Sequence, residues 1–395
     1  MKVLIISTTE RTGGGAIAAK RLCTALIKSG VEAKMLVRDK QTTDEWVAPY
    51  GNLLPKVMER LRIMAMLFKP LRQTWQYDLA SDGIDILSTK EYQEADVIHL
   101  HWVNQGMLSL SQLQSILLSG KKVVWTMHDE WPFRGIIHYT EEGIDYKSTS
   151  NALARLEQRH FLKKQNIYKK GKIHFVGCSQ WITDLAHEAM PEALVSHVNN
   201  CIPQEIFHPQ NQYECREVFS LPREKKLILF TCQKVTDKRK GMQYLLEALK
   251  HLHAPKPHLV VVGGNAEQVL SQVDGVDTNH VHFIPYVNGE KEMARLYSAV
   301  DCFVTPSLQD NLPNTIAEAM SCGTPCVGFN AGGIPEMITH MHDGYVAQYC
   351  DSEDLARGIE CVLSHPEWKE TALDSARKNY SEANVAKQYS DIYIY

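Results

Sequence analysis

The feature that most constrains this chain is the punctuation between Thr305 and Glu336. An apolar run, Val300 to Val304, reads as a buried strand and is followed by a loop, Pro306 to Asn311, that carries Asp310. Pro313 suits the first turn of a helix, where its missing N–H costs nothing, and the helix is expected to run to about Cys322 and stop at Gly323. A second strand, Pro325 to Phe329, leads to a turn at Gly332-Gly333 and a new helix from Pro335. Strand, helix, strand, helix at this spacing demands a parallel sheet with crossover helices. In such sheets ligands bind at the carboxyl ends of the strands, where helix N-termini favour anions. Asn314 and Glu318 are four apart and share a helix face. Either Asp310 and Glu318 point at one ligand, or the first caps a helix and the second is solvated; spacing alone leaves both open.

The same grammar recurs along all 395 residues, enough for two or three domains. Val3 to Ser7 is a strand, Gly13-Gly14-Gly15 a glycine turn, Ala16 to Ser29 a helix and Val31 to Val37 the next strand. The turn is not GxGxxG and no acid follows the second strand, so NAD binding fits poorly. Asp96 to Trp102 ends a strand with His99 and His101, and Lys122 to Met127 is followed by His128, also on the presumed ligand edge. Arg134 and His138 lead into a loop able to close over a substrate. Ser179 is a good N-cap for a helix over Gln180 to Ala189. Proline and polar residues around Pro203 and Pro209 mark a linker. From Lys226 the βα pattern restarts, and the last helix is expected from about Glu370 to the C-terminus.

The loop after Leu227–Thr231 holds Lys234, Lys238, Arg239 and Lys240 just before a helix. Four cations at a helix N-terminus are unfavourable without an anion, and such a local conflict points to function. Lys163 to Lys172 holds five lysines and reads as a solvated face. Lys56 to Arg72 sets Lys56, Arg60, Arg62, Lys69 and Arg72 against one acid, Glu59, with large apolar residues between. It can lie on an anionic membrane surface or pack as an ordinary helix that Pro70 shortens. A net charge of −4 gives no support for nucleic-acid binding. No run reaches the 18 apolar residues of a membrane span, and MKVLIIS lacks a signal-peptide pattern. The ten cysteines include no CxxC and read as reduced thiols of a cytoplasmic protein. Without paired metal-ligand spacing, no metal or other cofactor is expected.

QDNLPNTIAEAMSCGTPCVGF resembles the acid–seven residues–acid motif of retaining family-four glycosyltransferases. GGGAIAAKRL, WTMHDEWPFRGIIHY, CSQWITDLA and DKRKGMQYLLEAL resemble the branch of colanic-acid-type exopolysaccharide enzymes. The resemblance implies an α/β chain of the GT-B fold. Two Rossmann-like parallel-sheet domains, residues 1–203 and 204–375, would face each other across a cleft, with a C-terminal helix, 376–395, returning to the first. It implies a nucleotide-diphosphate sugar as donor and a glycan or lipid-linked glycan as acceptor. Glu318 matches the acid on the ribose hydroxyls, and Asp310 the acid near the donor sugar's reacting centre, where the family more often has Glu. Lys240 matches the lysine on the diphosphate, with Lys234 or Arg239 as the second cation. Gly14 and Gly15 match the loop approaching the diphosphate, His128 a catalytic histidine near the sugar, and Tyr286 the place where backbone meets the nucleobase. Asn311, Leu312, Asn314 and Thr315 fall within the same donor-binding motif. A GT-B sugar-nucleotide epimerase and a non-catalytic binding subunit are the alternatives.

Overall fold

The computed structural model describes residues 1–68, 70–140, 152–264 and 278–394. The loop expected to close over a substrate lies largely beyond them, in 141–151. The chain divides into two compact units, Met1–Cys201 with Ala383–Tyr395, and Ile202–Glu382.

The first unit is built on seven parallel strands. They are β1 (Lys2–Thr9), β2 (Glu32–Asp39), β3 (Val47–Pro49), β4 (Val97–Leu100), β5 (Lys122–Met127), β6 (Ile173–Gly177) and β7 (Leu194–His197). Their spatial order is β3-β2-β1-β4-β5-β6-β7. The apolar runs are continuous because both faces of the sheet are covered. Along β1, Val3 and Ile5 enter one core and Leu4 and Ile6 the other, the period of two that a strand imposes. The second unit has six parallel strands: β8 (Leu227–Lys234), β9 (His258–Gly264), β10 (Val281–Ile284), β11 (Cys302–Thr305), β12 (Cys326–Phe329) and β13 (Gly344–Ala347). Their order, β10-β9-β8-β11-β12-β13, repeats that of the first unit. Each sheet therefore reverses direction once, between β1 and β4 and between β8 and β11, and opens a crevice at the carboxyl ends of those strands.

Three local expectations are corrected. The C-terminal segment is two helices, Trp368–Tyr380 and Glu382–Ile394, because Ser381 between them is extended (φ −60, ψ 129). Lys164 is not solvated: it is fully buried, its Nζ donates to the Trp131 carbonyl at 2.6 Å and to the Arg134 carbonyl at 3.1 Å, and it lies over the Trp131 ring. Burial holds its pKa well below the usual lysine range. A lysine run reads as solvated in sequence because its hydropathy says nothing about which stem passes under a neighbouring loop. The helix Leu54–Leu67 ends at Phe68, which takes a left-handed conformation (φ 52), before Pro70 can act.

Candidate functional site

In the second unit, three neighbouring strand ends are drawn together. After β8 the chain forms a tight turn at Lys238–Lys240 and enters the helix Met242–His251 through Gly241. Gly241 is left-handed (φ 69), and a Cβ there would run into the Pro306 carbonyl of the loop after β11. The two loops touch through backbone: the Leu308 N–H donates to the Arg239 carbonyl at 2.7 Å. They also touch through charge, since Lys240 Nζ lies 2.5 Å from Asp310 Oδ2. The turn after β12 closes the group, with the Gly333 N–H donating to the Asp310 carbonyl at 3.1 Å. Gly332 (φ 56) faces the same carbonyl with no room for a side chain. Asp310 is thus neither a helix cap nor a solvated acid. Its side chain engages the lysine loop and its backbone the glycine turn.

The cation conflict at the helix N-terminus resolves in part within the protein. Arg239 lies 2.9 Å from Asp237, which also accepts the Arg239 backbone N–H at 3.1 Å. Asp310 takes Lys240. Lys234 ends β8, is exposed and makes no ion pair among the described residues.

Pro313 occupies the position just before the helix Asn314–Ser321, one residue earlier than expected, where its missing N–H is equally harmless. Asn311 and Leu312 are buried, and Asn314 and Thr315 are half-buried in the first turn. Glu318 is buried one turn on and accepts a hydrogen bond from the Tyr297 hydroxyl at 2.9 Å. Tyr297 comes from the fully buried side of the preceding helix, Glu290–Ala299. Nothing in the local sequence pairs Tyr297 with Glu318; being 21 residues apart, they meet only through packing. Tyr286 is set apart. It follows β10 at the sheet edge, two strands from β8, and is 77% exposed.

In the first unit the corresponding crevice holds the glycine turn and the histidines. Gly13 is left-handed (φ 93) and the helix Gly14–Lys28 starts immediately after it. A Cβ on Gly15 would lie 3.0 Å from Cγ of His128, so the ring rests against the helix start. His128 Nε2 and His101 Nδ1 share a hydrogen bond of 2.9 Å, and the rings stack. Burial lowers the His128 pKa to about 4, with Asp129 opposing, and burial also holds His101 well below the usual range. Both imidazoles are neutral at physiological pH. His101 Nε2 is buried with no hydrogen-bond partner among the described residues.

His99 is not at a strand end. It sits within β4, fully buried, between the Tyr393 hydroxyl at 2.7 Å and Thr126 at 2.8 Å. It joins the C-terminal helix to the sheet and is structural. His138 Nδ1 lies 2.7 Å from Asp129 Oδ2, which also accepts the Trp102 indole N–H at 3.0 Å. Burial raises the Asp129 pKa, but His138 and the Trp131 and Trp102 N–H groups outweigh it, and the net shift is downward.

Sequence reading missed Glu10. It is fully buried at the end of β1, with Lys20 Nζ at 2.6 Å and the backbone N–H groups of Gln41 and Thr42 at 2.8 and 3.0 Å. Burial raises its pKa, yet Lys20, Thr42 and Gln41 prevail and bring it down to about 2. Glu10 therefore ties the glycine turn to the β2–β3 connection. A lone acid next to a glycine turn was the available signal.

Residues 225–365, which contain β8 to β13, match the family described as glycosyl transferases group 1. Over 398 residues the chain is 26% identical to an uncharacterized glycosyltransferase of Methanocaldococcus jannaschii, covering 96% of this chain and 94% of the relative. It is 23% identical over 374 residues to the D-inositol 3-phosphate glycosyltransferase of Mycobacterium marinum, covering 90% and 74%. Among solved structures it is similar to the Anabaena protein HepE crystallised with UDP-glucose, with a TM-score of 0.68, 15% identity and 99% of each chain covered. The second unit thus contains a segment that matches the group 1 glycosyltransferase family, and two Rossmann-like parallel sheets of the GT-B class are the observed fold.

Proposed function

We propose that this chain is a retaining, metal-independent glycosyltransferase. It moves a sugar from a nucleotide-diphosphate sugar to a glycan or lipid-linked glycan in surface polysaccharide synthesis, working in the cytoplasm at the inner face of the membrane. One observation carries the reading: Lys240 and Asp310 are coupled at 2.5 Å where β8 and β11 diverge, inside the segment that matches group 1 glycosyltransferases. Breaking a sugar–phosphate bond builds negative charge on the departing diphosphate. Lys240 and Lys234, the latter without an ion pair among the described residues, are the cations that would stabilise it as it grows. With a donor bound, the Lys240 charge is shared between Asp310 and phosphate, which fixes the acid beside the sugar. Glu318, held by Tyr297, takes the ribose hydroxyls. Within the first unit, the candidates for donor contact are Gly14 and Gly15, with neutral His128 resting against the helix start and able to donate or accept a hydrogen bond. Retention follows from front-face attack, the leaving phosphate taking the acceptor's proton. Tyr286 marks the nucleobase edge of the donor.

Calorimetric titration with UDP and UDP-glucose tests the donor assignment. Lys240→Ala should weaken binding by about tenfold or more, as expected for one charge-assisted contact to phosphate; unchanged affinity would remove Lys240 from the site. Turnover with an acceptor panel then separates transfer from epimerisation, which consumes donor alone, and from a binding role, which turns over nothing.

A further inference from the structure

Buried polar side chains in folded proteins are nearly always hydrogen-bonded. In the first unit Ser7 Oγ, His101 Nε2, Asn104 Nδ2 and His138 Nε2 are buried and have no partner among the described residues. His138, the most accessible of the four residues, is 8% exposed. They gather at the carboxyl ends of neighbouring strands. Ser7 lies near the end of β1, and the Thr8 hydroxyl beside it shares its hydrogen between the Trp102 and Asn104 carbonyls, at 3.0 and 2.8 Å. That bond lays the loop after β4, which His101 opens, on the end of β1. His138 reaches the same loop from beyond β5. Its Nδ1 lies 2.7 Å from Asp129 Oδ2, which also accepts the Trp102 indole N–H, and its ring lies 5.8 Å from the Trp102 ring. The set has a defined polarity. An ionised carboxylate only accepts, so the hydrogen sits on His138 Nδ1, and Nε2 of the neutral ring presents a lone pair. Asn104 Nδ2 only donates, and Ser7 Oγ does either. Neighbouring charges are matched within the protein: Asp129 by His138, Trp102 and the Trp131 N–H, and Glu130 by Arg134 at 2.8 Å. What remains is neutral donors and acceptors, which suit a hydroxyl, a group that does both, better than a phosphate or carboxylate.

We propose that the Asp129–His138 pair is a specificity contact for the acceptor: His138 Nε2 accepts a hydrogen bond from one hydroxyl of an uncharged sugar, and Asn104 Nδ2 donates to an oxygen of the same sugar. The inference rests on the transferase reading, whose donor contacts use neither atom. Asp129 is a positioning residue that holds the imidazole in one tautomer and one orientation, the way a third group orients an imidazole toward a hydroxyl. No proton is transferred; the contact orients the acceptor. It also selects, because buried polar groups left unpaired reject an analogue that lacks the hydroxyl. His99 shows how a purely structural histidine is built in the same sheet. Both of its ring nitrogens are engaged by protein hydroxyls, Tyr393 at 2.7 Å and Thr126 at 2.8 Å. His138 engages one nitrogen and leaves the other for a ligand.

Saturation-transfer NMR on the full chain with UDP present, using the methyl α-glycosides of glucose, galactose and mannose, reads the contact. The wild type should bind at least one of them. His138→Asn sets an amide N–H where Nδ1 stands, so it keeps the bond to Asp129 and removes only Nε2. It should weaken glycoside binding by about tenfold while the melting temperature and UDP affinity hold; a histidine that merely clamps its loop predicts wild-type binding. Asn104→Leu is the second variant. Its Nδ2 has no partner among the described residues to lose, so stability should not fall, and glycoside binding should again drop about tenfold. It carries the test if His138→Asn melts early. In the deoxy series of the bound glycoside, one analogue should bind the wild type about tenfold less and be insensitive to His138→Asn, the non-additivity of two partners in one hydrogen bond. A wild type that binds no glycoside, variants that bind it like wild type, or a series in which every analogue still responds to His138→Asn overturns the proposal. Unchanged UDP affinity with no effect on glycoside binding removes this contact alone. A wild type that binds glycoside but not UDP removes the donor reading and leaves the contact standing.

Discussion

Gly241→Ala tests whether close contact between the lysine loop and the acid loop builds the donor site. Gly241 has φ 69, so alanine there carries left-handed strain of about 1 kcal/mol. Its Cβ would also meet the Pro306 carbonyl oxygen, a backbone atom that no rotamer change moves aside. The loops after β8 and β11 must then part by about 1 Å, an overpacking cost of about 1–3 kcal/mol. Those loops hold the Lys240–Asp310 pair at 2.5 Å and the Leu308–Arg239 hydrogen bond at 2.7 Å, and both stretch when the loops separate. The combined cost is about 2–4 kcal/mol, which lowers the melting temperature of the second unit by about 5–15 °C. Gly120→Ala is the matched control. Its φ is 77, but nothing lies within 4 Å of the added Cβ, so it carries the strain alone. Scanning calorimetry should show a loss at least twice as large for Gly241→Ala. UDP affinity should fall about tenfold in that variant and stay constant in the control. Equal melting losses with unchanged UDP affinity would refute the argument that this contact shapes the site.

Three further outcomes are expected. Glu10 has a folded pKa of about 2 against an ordinary 4.5. Its stabilisation is therefore complete above pH 4.5 and lost as pH falls toward 2, and Glu10→Gln should flatten acid unfolding there by about 2–3 kcal/mol in denaturant titrations. A wild-type and variant with parallel stability over that window would discount the clamp. His128 has a pKa of about 4, so turnover should show no step near pH 6.5 owing to it; such a step, abolished by His128→Gln, would show that the ring is charged in use. Tyr297→Phe removes the hydroxyl that donates to Glu318 at 2.9 Å, and losing that hydrogen bond to a carboxylate costs about 1–3 kcal/mol. Its KM for a ribonucleotide donor should rise more than its KM for the 2′-deoxy analogue, and an equal rise for both would detach Glu318 from the ribose.

Most of the fold was legible in the sequence because parallel strands buried on both faces read as continuous apolar runs. Val3 to Ser7, Lys122 to Met127 and Pro325 to Phe329 were placed to within a residue or two for that reason. Glycines and prolines set the breaks where backbone geometry leaves few other choices, as at Gly30 and Gly323, both left-handed. The C-terminal helix resisted, since Ser381 interrupts it without any breaker residue. At the site, sequence fixed which cations and acids follow which strand. It could not say which of them meet. Lys240 and Asp310 are 70 residues apart, and they pair because the strand order sets β8 beside β11. Arg239 and Lys234 look equivalent on paper, yet Asp237 pairs with Arg239, whereas Lys234 has no ion pair among the described residues. His99 and His101 are two residues apart with ring centroids 4.4 Å apart, yet one became a core strut while the other reached His128. Local sequence determines the period and punctuation of the backbone, which depend on near neighbours. Pairing of charges and the inward or outward turn of a side chain depend on what packing brings from far along the chain, and only the tertiary structure decided them.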